Sequence, residues 1–293
     1  MRFALRSASA LTFVLAPLSY MNAQISPSAA PGGKNLAVDF RTTVVVSGMP
    51  DTSVIQGHAV GSADKMRMDL TMQGAAAKVT PLGGSGSQIT MLVSDSGKAV
   101  TYLDASANHY MSVRTTDMLA KVQQAGMKMG FSETEAKVDN LGAGPSILGH
   151  PTSHYRRGTG MTMTITGMGQ EQVVKISSSS DYYYANDIKG ALNPFASMTG
   201  GDMAAMFGSA NKEFADKLKA MQDKLPKGTP LRALSSSTMV AQGQTRVTTT
   251  QAEVTSVQWV NADPKLFEIP PTYTPLSFPS MSGAQSGATP PNK

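Results

Sequence analysis

The chain has 293 residues, a formal net charge of +5, 41% hydrophobic but only 15% charged residues, and no cysteine. That length allows one large domain or two small ones around a sizeable core. The low charge content excludes a coiled coil, and the lack of thiols excludes disulfide scaffolds and thiolate metal sites.

Residues 1–23 read as an export signal. Arg2 and Arg6 make a basic start, Ala8 to Leu18 is a short apolar run, and Met21-Asn22-Ala23 offers a cleavage site. The run is well short of the ~20 residues that cross a bilayer, so no transmembrane segment is expected in the mature chain. No cysteine follows it, which rules out lipid attachment of the bacterial lipoprotein kind. The expected location is the periplasm or outer envelope, with the protein soluble after cleavage. Residues 24–34 form a Ser/Pro/Ala/Gly linker and 276–293 a similar Pro/Ser/Gly tail, both too poor in apolar residues to fold. The folded domain is therefore expected over 35–275.

Within it the main signal has a period of two. Leu36, Val38, Phe40, Thr42, Val44 and Val46 alternate as in a half-buried strand, and a second strand runs near Val54 to Val60. From Lys65 to Met72 the alternation is sharp, with Met66, Met68, Leu70 and Met72 on one face. Gly74 to Gln88 is a small-residue loop. Ile89 to Val93 and Ala99 to Leu103 follow, joined by the turn residues Asp95-Ser96-Gly97, and Tyr110 to Val113 comes after a second short turn. Short turns pair strands antiparallel, so this half reads as a meander.

Two segments change to helical spacing. Met118, Leu119, Val122, Ala125 and Met129 fall on one stripe after Thr116, and Phe207, Phe214, Leu218, Met221 and Leu225 on another before Pro226 and Gly228. Further strands are expected over Ile147 to Arg157, Met161 to Thr166, Gln172 to Ser178, Asp181 to Ala185, Leu231 to Ala241 and Thr245 to Val260. The chain has no internal repeat.

Motifs that carry chemistry are missing. Gly83-Gly84-Ser85-Gly86-Ser87 fails the nucleophile-elbow pattern at its last position, and Gly167-Met168-Gly169 lacks the third glycine of a dinucleotide fingerprint. Carboxylates are sparse and scattered, so catalysis is not expected and no cofactor is implied. Of the histidines, His150 and His154 have ligand-like spacing, but on a strand they stand ~13 Å apart, too far for one metal. Nucleic acid is an unsuited partner: the charge is mild, and Arg156-Arg157 is the one adjacent basic pair.

Methionine is the unusual residue, with 20 in the chain. Met66, Met68 and Met72, with Leu70, form one cluster, and Met161 and Met163, with Ile165, form another. Three readings stand. The methionines fill gaps beneath the helices; or they form a soft apolar wall for a lipid chain; or their thioethers capture Cu(I).

Several short stretches carry a resemblance. Gly61-Ser62-Ala63-Asp64-Lys65 leads into Met66-Arg67-Met68-Asp69-Leu70. Tyr102-Leu103-Asp104 turns into His109-Tyr110-Met111, and Ile147-Leu148-Gly149-His150 precedes Tyr155. Gly228-Thr229-Pro230-Leu231-Arg232 opens a strand, and Val254 and Val257 lead to Asp263-Pro264, Phe267, Ile269-Pro270 and Tyr273. Over residues 36–275 the chain resembles the LolA/LolB-like half-barrel superfamily of lipoprotein carriers and receptors, in particular a bacterial domain-of-unknown-function family of that fold. The resemblance implies an antiparallel sheet curled round a helical plug with an apolar groove between them.

The fold expected is mainly β (α+β): an unclosed half-barrel of about ten antiparallel strands with two helices on its concave face. The function expected is that of a monomeric, non-enzymatic envelope protein binding a lipid or lipidated partner. Its groove is drawn from Met66, Met68, Leu70, Met72, Met161, Met163 and Ile165 on the sheet, and from Met118, Leu119, Val122, Phe214, Leu218 and Met221 on the helices. The alternative is a structural or stress-related envelope protein with a closed core that binds another protein through its loops.

Overall fold

The computed structural model describes residues 34–62, 64–78, 87–95, 99–114, 128–167, 170–188 and 211–276. The leader, most of the linker and tail, and Met118, Leu119 and Val122 of the first expected helix lie outside them.

Two meanders make the molecule. The first runs β1 (Asn35–Val46), β2 (Ser53–Gly61), β3 (Met66–Gln73), β4 (Gln88–Ser94), β5 (Ala99–Asp104) and β6 (His109–Arg114). The second runs β7 (Lys128–Ala143), β8 (Thr152–Gly167), β9 (Gln170–Ala185), β10 (Thr229–Ala241) and β11 (Gln244–Val260). A helix, α1 (Lys212–Asp223), stands between β9 and β10 in the chain, and the two-residue strand β12 (Thr274–Pro275) ends the fold. Antiparallel pairing of β1 with β11 joins the meanders into one open sheet of order β12-β6-β5-β4-β3-β2-β1-β11-β10-β9-β8-β7. Only β12 runs parallel to its neighbour, β6.

Local chemistry explains the turns. Between β10 and β11, Gln242 and Gly243 both have positive φ, +52° and +74°, the backbone a tight hairpin needs to match strand twist. After β5, the Asp104 carboxylate accepts hydrogen bonds from the Ser106 and Ala107 amides, holding the chain in its turn.

Residues opposite each other in the ladders share a face of the sheet. Following the register, Met111, Tyr102, Met91, Met68, Ala59 and Val38 form one row from β6 to β1. The same face continues through Phe40, Val254, Ala252, Ala233 and Tyr182 into β8. We call it the inner face, because α1 packs on it. It holds the main core, in which Met66, Ala59, Tyr182, Leu231 and Ala252 are 0% exposed. On the other, outer face the C-terminal segment crosses from the end of β11 to β6: Arg67 Nη1 donates to the Leu266 carbonyl, and the Thr274 and Leu276 amides donate to the Asn108 and Tyr110 carbonyls.

The sheet thus has 12 strands, not about ten, and among the described residues there is one α-helix. Met129 belongs to β7, opposite Ile165, not to a helix. β7 escaped the alternation reading because bulges at Ser132/Glu135 and Asn140/Gly142 shift its phase twice. Met161 to Thr166 is no separate strand; it continues β8, across Gly158 and Gly160. Asp181 to Ala185 likewise continues β9, across Ser179 and Ser180. These weak strand formers read as breaks but are held by pairing on both sides. Residues Ile147 to His150 form instead a tight turn, with Leu148 and Gly149 at φ +52° and +81°.

Candidate functional site

Alternation on β3 places Met66, Met68, Leu70 and Met72 on the inner face, as expected from the sequence. Met66, Met68 and Met72 are buried in the main core and Leu70 packs against it, half-buried. Gly57, facing Phe40 and Leu70 from β2, leaves space for the Phe40 ring: a Cβ there would lie 2.2 Å from Phe40 Cζ.

The helix residues gather elsewhere on the same face. Asn211 caps α1, its side-chain oxygen accepting the Phe214 amide at 2.9 Å. Phe214, Leu218 and Met221 then repeat along one stripe and bury themselves against Met161, with Phe131, Ala136, Val138 and Ile176 at the margin. Lys217 Nζ donates to the Thr134 carbonyl at 3.0 Å and ties the helix to β7. Met163 and Ile165 form a third cluster with Val174, flanked by Met129, Phe131, Met239 and Ala241. Met66, Met68 and Met72 thus share one cluster, while Met161 and Met163 fall in two others.

Between the main core and these clusters the inner face turns polar. The register sets Arg157 and Thr159 of β8 opposite Ser180 and Ser178 of β9, then Ser235 and Ser237 of β10, then Thr250 and Thr248 of β11. Thr159 and Ser178 share a hydrogen bond of 2.7 Å, and Ser180 donates to Ser235 at 2.9 Å. The Arg157 guanidinium carbon lies 5.4 Å from the Tyr182 ring centroid. Its Nε is enclosed without a hydrogen-bond partner, as is the Tyr182 hydroxyl. Tyr182 stacks on Tyr184, which Tyr155 meets edge-on. Burial pushes the Tyr184 hydroxyl well above its ordinary pKa, a rise that Tyr182 and Tyr155 reinforce and the Arg157 charge moderates.

The sequence reading did not find this belt. Its signal was present in Ser177-Ser178-Ser179-Ser180, in Ser235-Ser236-Ser237 and in Thr248-Thr249-Thr250, polar runs where a core strand would alternate. Alternation also sends the adjacent Arg156 and Arg157 to opposite faces. Arg156 faces out and pairs with Asp181, whose carboxylate also meets His154 Nε2 at 3.0 Å. Burial alone would raise the Asp181 pKa, but the hydrogen bonds from Arg156 and His154 outweigh it and hold the carboxyl below its usual range.

The outer face carries an open trough of about 690 Å³ across β1 to β5, bounded by Asp39, His58, Asp69, Thr90 and Leu103 among others. Both its carboxylates are paired: His58 Nδ1 meets Asp39 at 2.6 Å, and Arg67 grips both oxygens of Asp69 at 2.9 Å. His150 pairs with Asp187 at 2.7 Å. Among the described residues no three His, Asp or Glu side chains converge as a metal site, and no helix is long and apolar enough to cross a membrane.

No protein-family model matches the chain, and no curated protein matches it. A solved structure similar to it is a domain from Vibrio parahaemolyticus named for outer membrane lipoprotein sorting. The likeness covers 81% of this chain and 90% of that one, at 9% identity and a TM-score of 0.28. Agreement that loose carries no argument about what this chain does.

Proposed function

We propose that this chain is a non-enzymatic envelope protein that holds a lipid, or the acyl chains of a lipidated partner, on the inner face of its sheet beside α1. The observation that supports this reading is the apolar content of that face, with methionine where α1 docks on it. Apolar side chains cover it from Met111 on β6 to Tyr182 on β9, and again at Met161, Met163 and Ile165 on β8 beyond the polar belt. Among the described residues the one α-helix, α1, is 12 residues long and docks over β7 and β8 through three buried side chains. Methionine at the contact, Met161 against Met221, suits a surface that opens and repacks, because an unbranched thioether side chain adapts its shape to what it meets. An acyl chain laid beside Phe214 and Leu218 would gain ~25 cal/mol per Å² of apolar surface it buries.

Native mass spectrometry of the protein purified without detergent tests this. The expected result is a fraction carrying one added lipid mass, lost when Phe214 and Met161 are both changed to Gln. A clean apo mass, together with no displaceable binding of a fluorescent fatty acid, would exclude the reading.

A further inference from the structure

We propose that Arg157 and the hydroxyls around it bind the oxyanion of an amphiphile, a phosphate-type headgroup set on the floor of the sheet between its apolar clusters. The inference rests on the preceding reading and specifies the ligand's polar end.

A guanidinium stays protonated at any physiological pH, so it cannot relieve its own burial by losing charge. Cations withdrawn from water are normally matched by a carboxylate, and this chain does so at two half-buried arginines, Arg67 with Asp69 and Arg232 with Glu253. Arg157 has no such carboxylate among the described residues; its one charge-type contact there is the face of the Tyr182 ring. It is half-buried, and its Nε is enclosed and unbonded. The positions beside it on the inner face are Ser180 on β9 and Val138 on β7, neither able to supply a negative charge. Beyond Ser180 lie Ser235 and Thr250, and beside it Ser178. A hydroxyl has one O–H to give: that of Ser180 is spent on Ser235, which accepts it and keeps its own O–H for an anion's oxygen. The Tyr182 hydroxyl, enclosed and unpartnered, is a further donor in the same cluster. Arginine with its forked donors recognises a tetrahedral oxyanion better than any other side chain. An apolar chain leaving such a headgroup would find Met161 and Ile176 next along the same face.

Three soluble probes, titrated below micelle-forming concentrations with Trp259 fluorescence and calorimetry, separate the sources of the anion. They are dodecyl phosphate, which has anion and chain; dodecyl maltoside, which has chain only; and inorganic phosphate. The wild-type protein should bind dodecyl phosphate at least about tenfold more tightly than the maltoside, the worth of one charge-assisted hydrogen bond. Arg157→Gln should abolish that preference while keeping maltoside binding, and Arg157→Lys should retain part of it. Should Arg157→Gln not fold, the paired Ser178→Ala, Ser235→Ala variant takes its place and should narrow the preference. Equal affinity for both amphiphiles in the wild type, or an undiminished preference in Arg157→Gln, would overturn the headgroup site and leave lipid binding standing. Binding of inorganic phosphate alone would keep the anion site and remove the amphiphile. Binding of none of the three would remove both.

Discussion

Gly57 sits beneath the Phe40 ring, and the space it leaves is filled to contact. A methyl group there must push the ring or β2 itself, and overpacking of a dense core costs about 1–3 kcal/mol. Gly57→Ala is therefore expected to lower stability by that amount in urea unfolding followed by Trp259, the single tryptophan, which packs at the edge of the same core. On the outer face Asp69 gives a pH-dependent counterpart. Burial would raise its pKa, but hydrogen bonds from Arg67 and Thr90 more than compensate and hold it low. A carboxyl whose folded pKa is depressed contributes stability above its ordinary value of 3.8, and that contribution is lost as pH falls through the folded value. Asp69→Asn should thus cost no more than about 1 kcal/mol at neutral pH, since the side chain is 42% exposed. The difference from wild type should shrink below pH 4, and an acid titration that left it constant would mean the Arg67 pair contributes nothing.

At the scale of elements, legibility followed the strength of the repeat. β1 and β3 alternate cleanly, and the sequence places their inner faces as the structure does. α1 was legible for the same reason: Phe214, Leu218 and Met221 mark its stripe, while its start at Asn211 was not read. β7 was not, because its bulges change which parity faces inward, a tertiary fact that no local window carries. The candidate site was split in the same way. Its apolar part could be read from period two, but the belt depends on which polar residues from four strands fall side by side. The helix is also where stability should be lowest, since it rests on three buried side chains, and its ion pairs Lys212–Asp216 and Lys217–Glu213 are exposed. Asn211→Ala removes the acceptor of the Phe214 amide and should cost about 1 kcal/mol, felt locally. Hydrogen exchange is expected to quicken across α1 while the β9, β10 and β11 amides keep their protection. Equal loss in the strands would show instead that helix and sheet unfold as one unit.

Over the whole molecule, an open sheet must protect two edges from pairing with other chains. β7 closes one side with its bulges, with Glu135 and Lys137 on the edge strand, and with α1 docked against it. The opposite side has no such devices on β6 itself, which is six residues long and regularly paired to β5. Its free edge is met by β12, through Thr274 and Leu276 donating to Asn108 and Tyr110. Those few bonds depend on the segment that crosses the outer face, fixed where Asp263 caps its single turn of 3-10 helix and where Arg67 holds Leu266. Ending the chain after Tyr273 removes the strand but leaves that turn. The shortened protein is expected to keep its unfolding midpoint within a few degrees, because Thr274 and Pro275 are exposed and bury almost nothing. It should nevertheless self-associate, since the bared β6 edge offers unpaired backbone donors and acceptors to a second copy. Light scattering across a concentration series distinguishes the outcomes: a mass that rises with concentration only in the shortened chain identifies β12 as an edge guard, whereas matching masses would mean that β6 needs no cover.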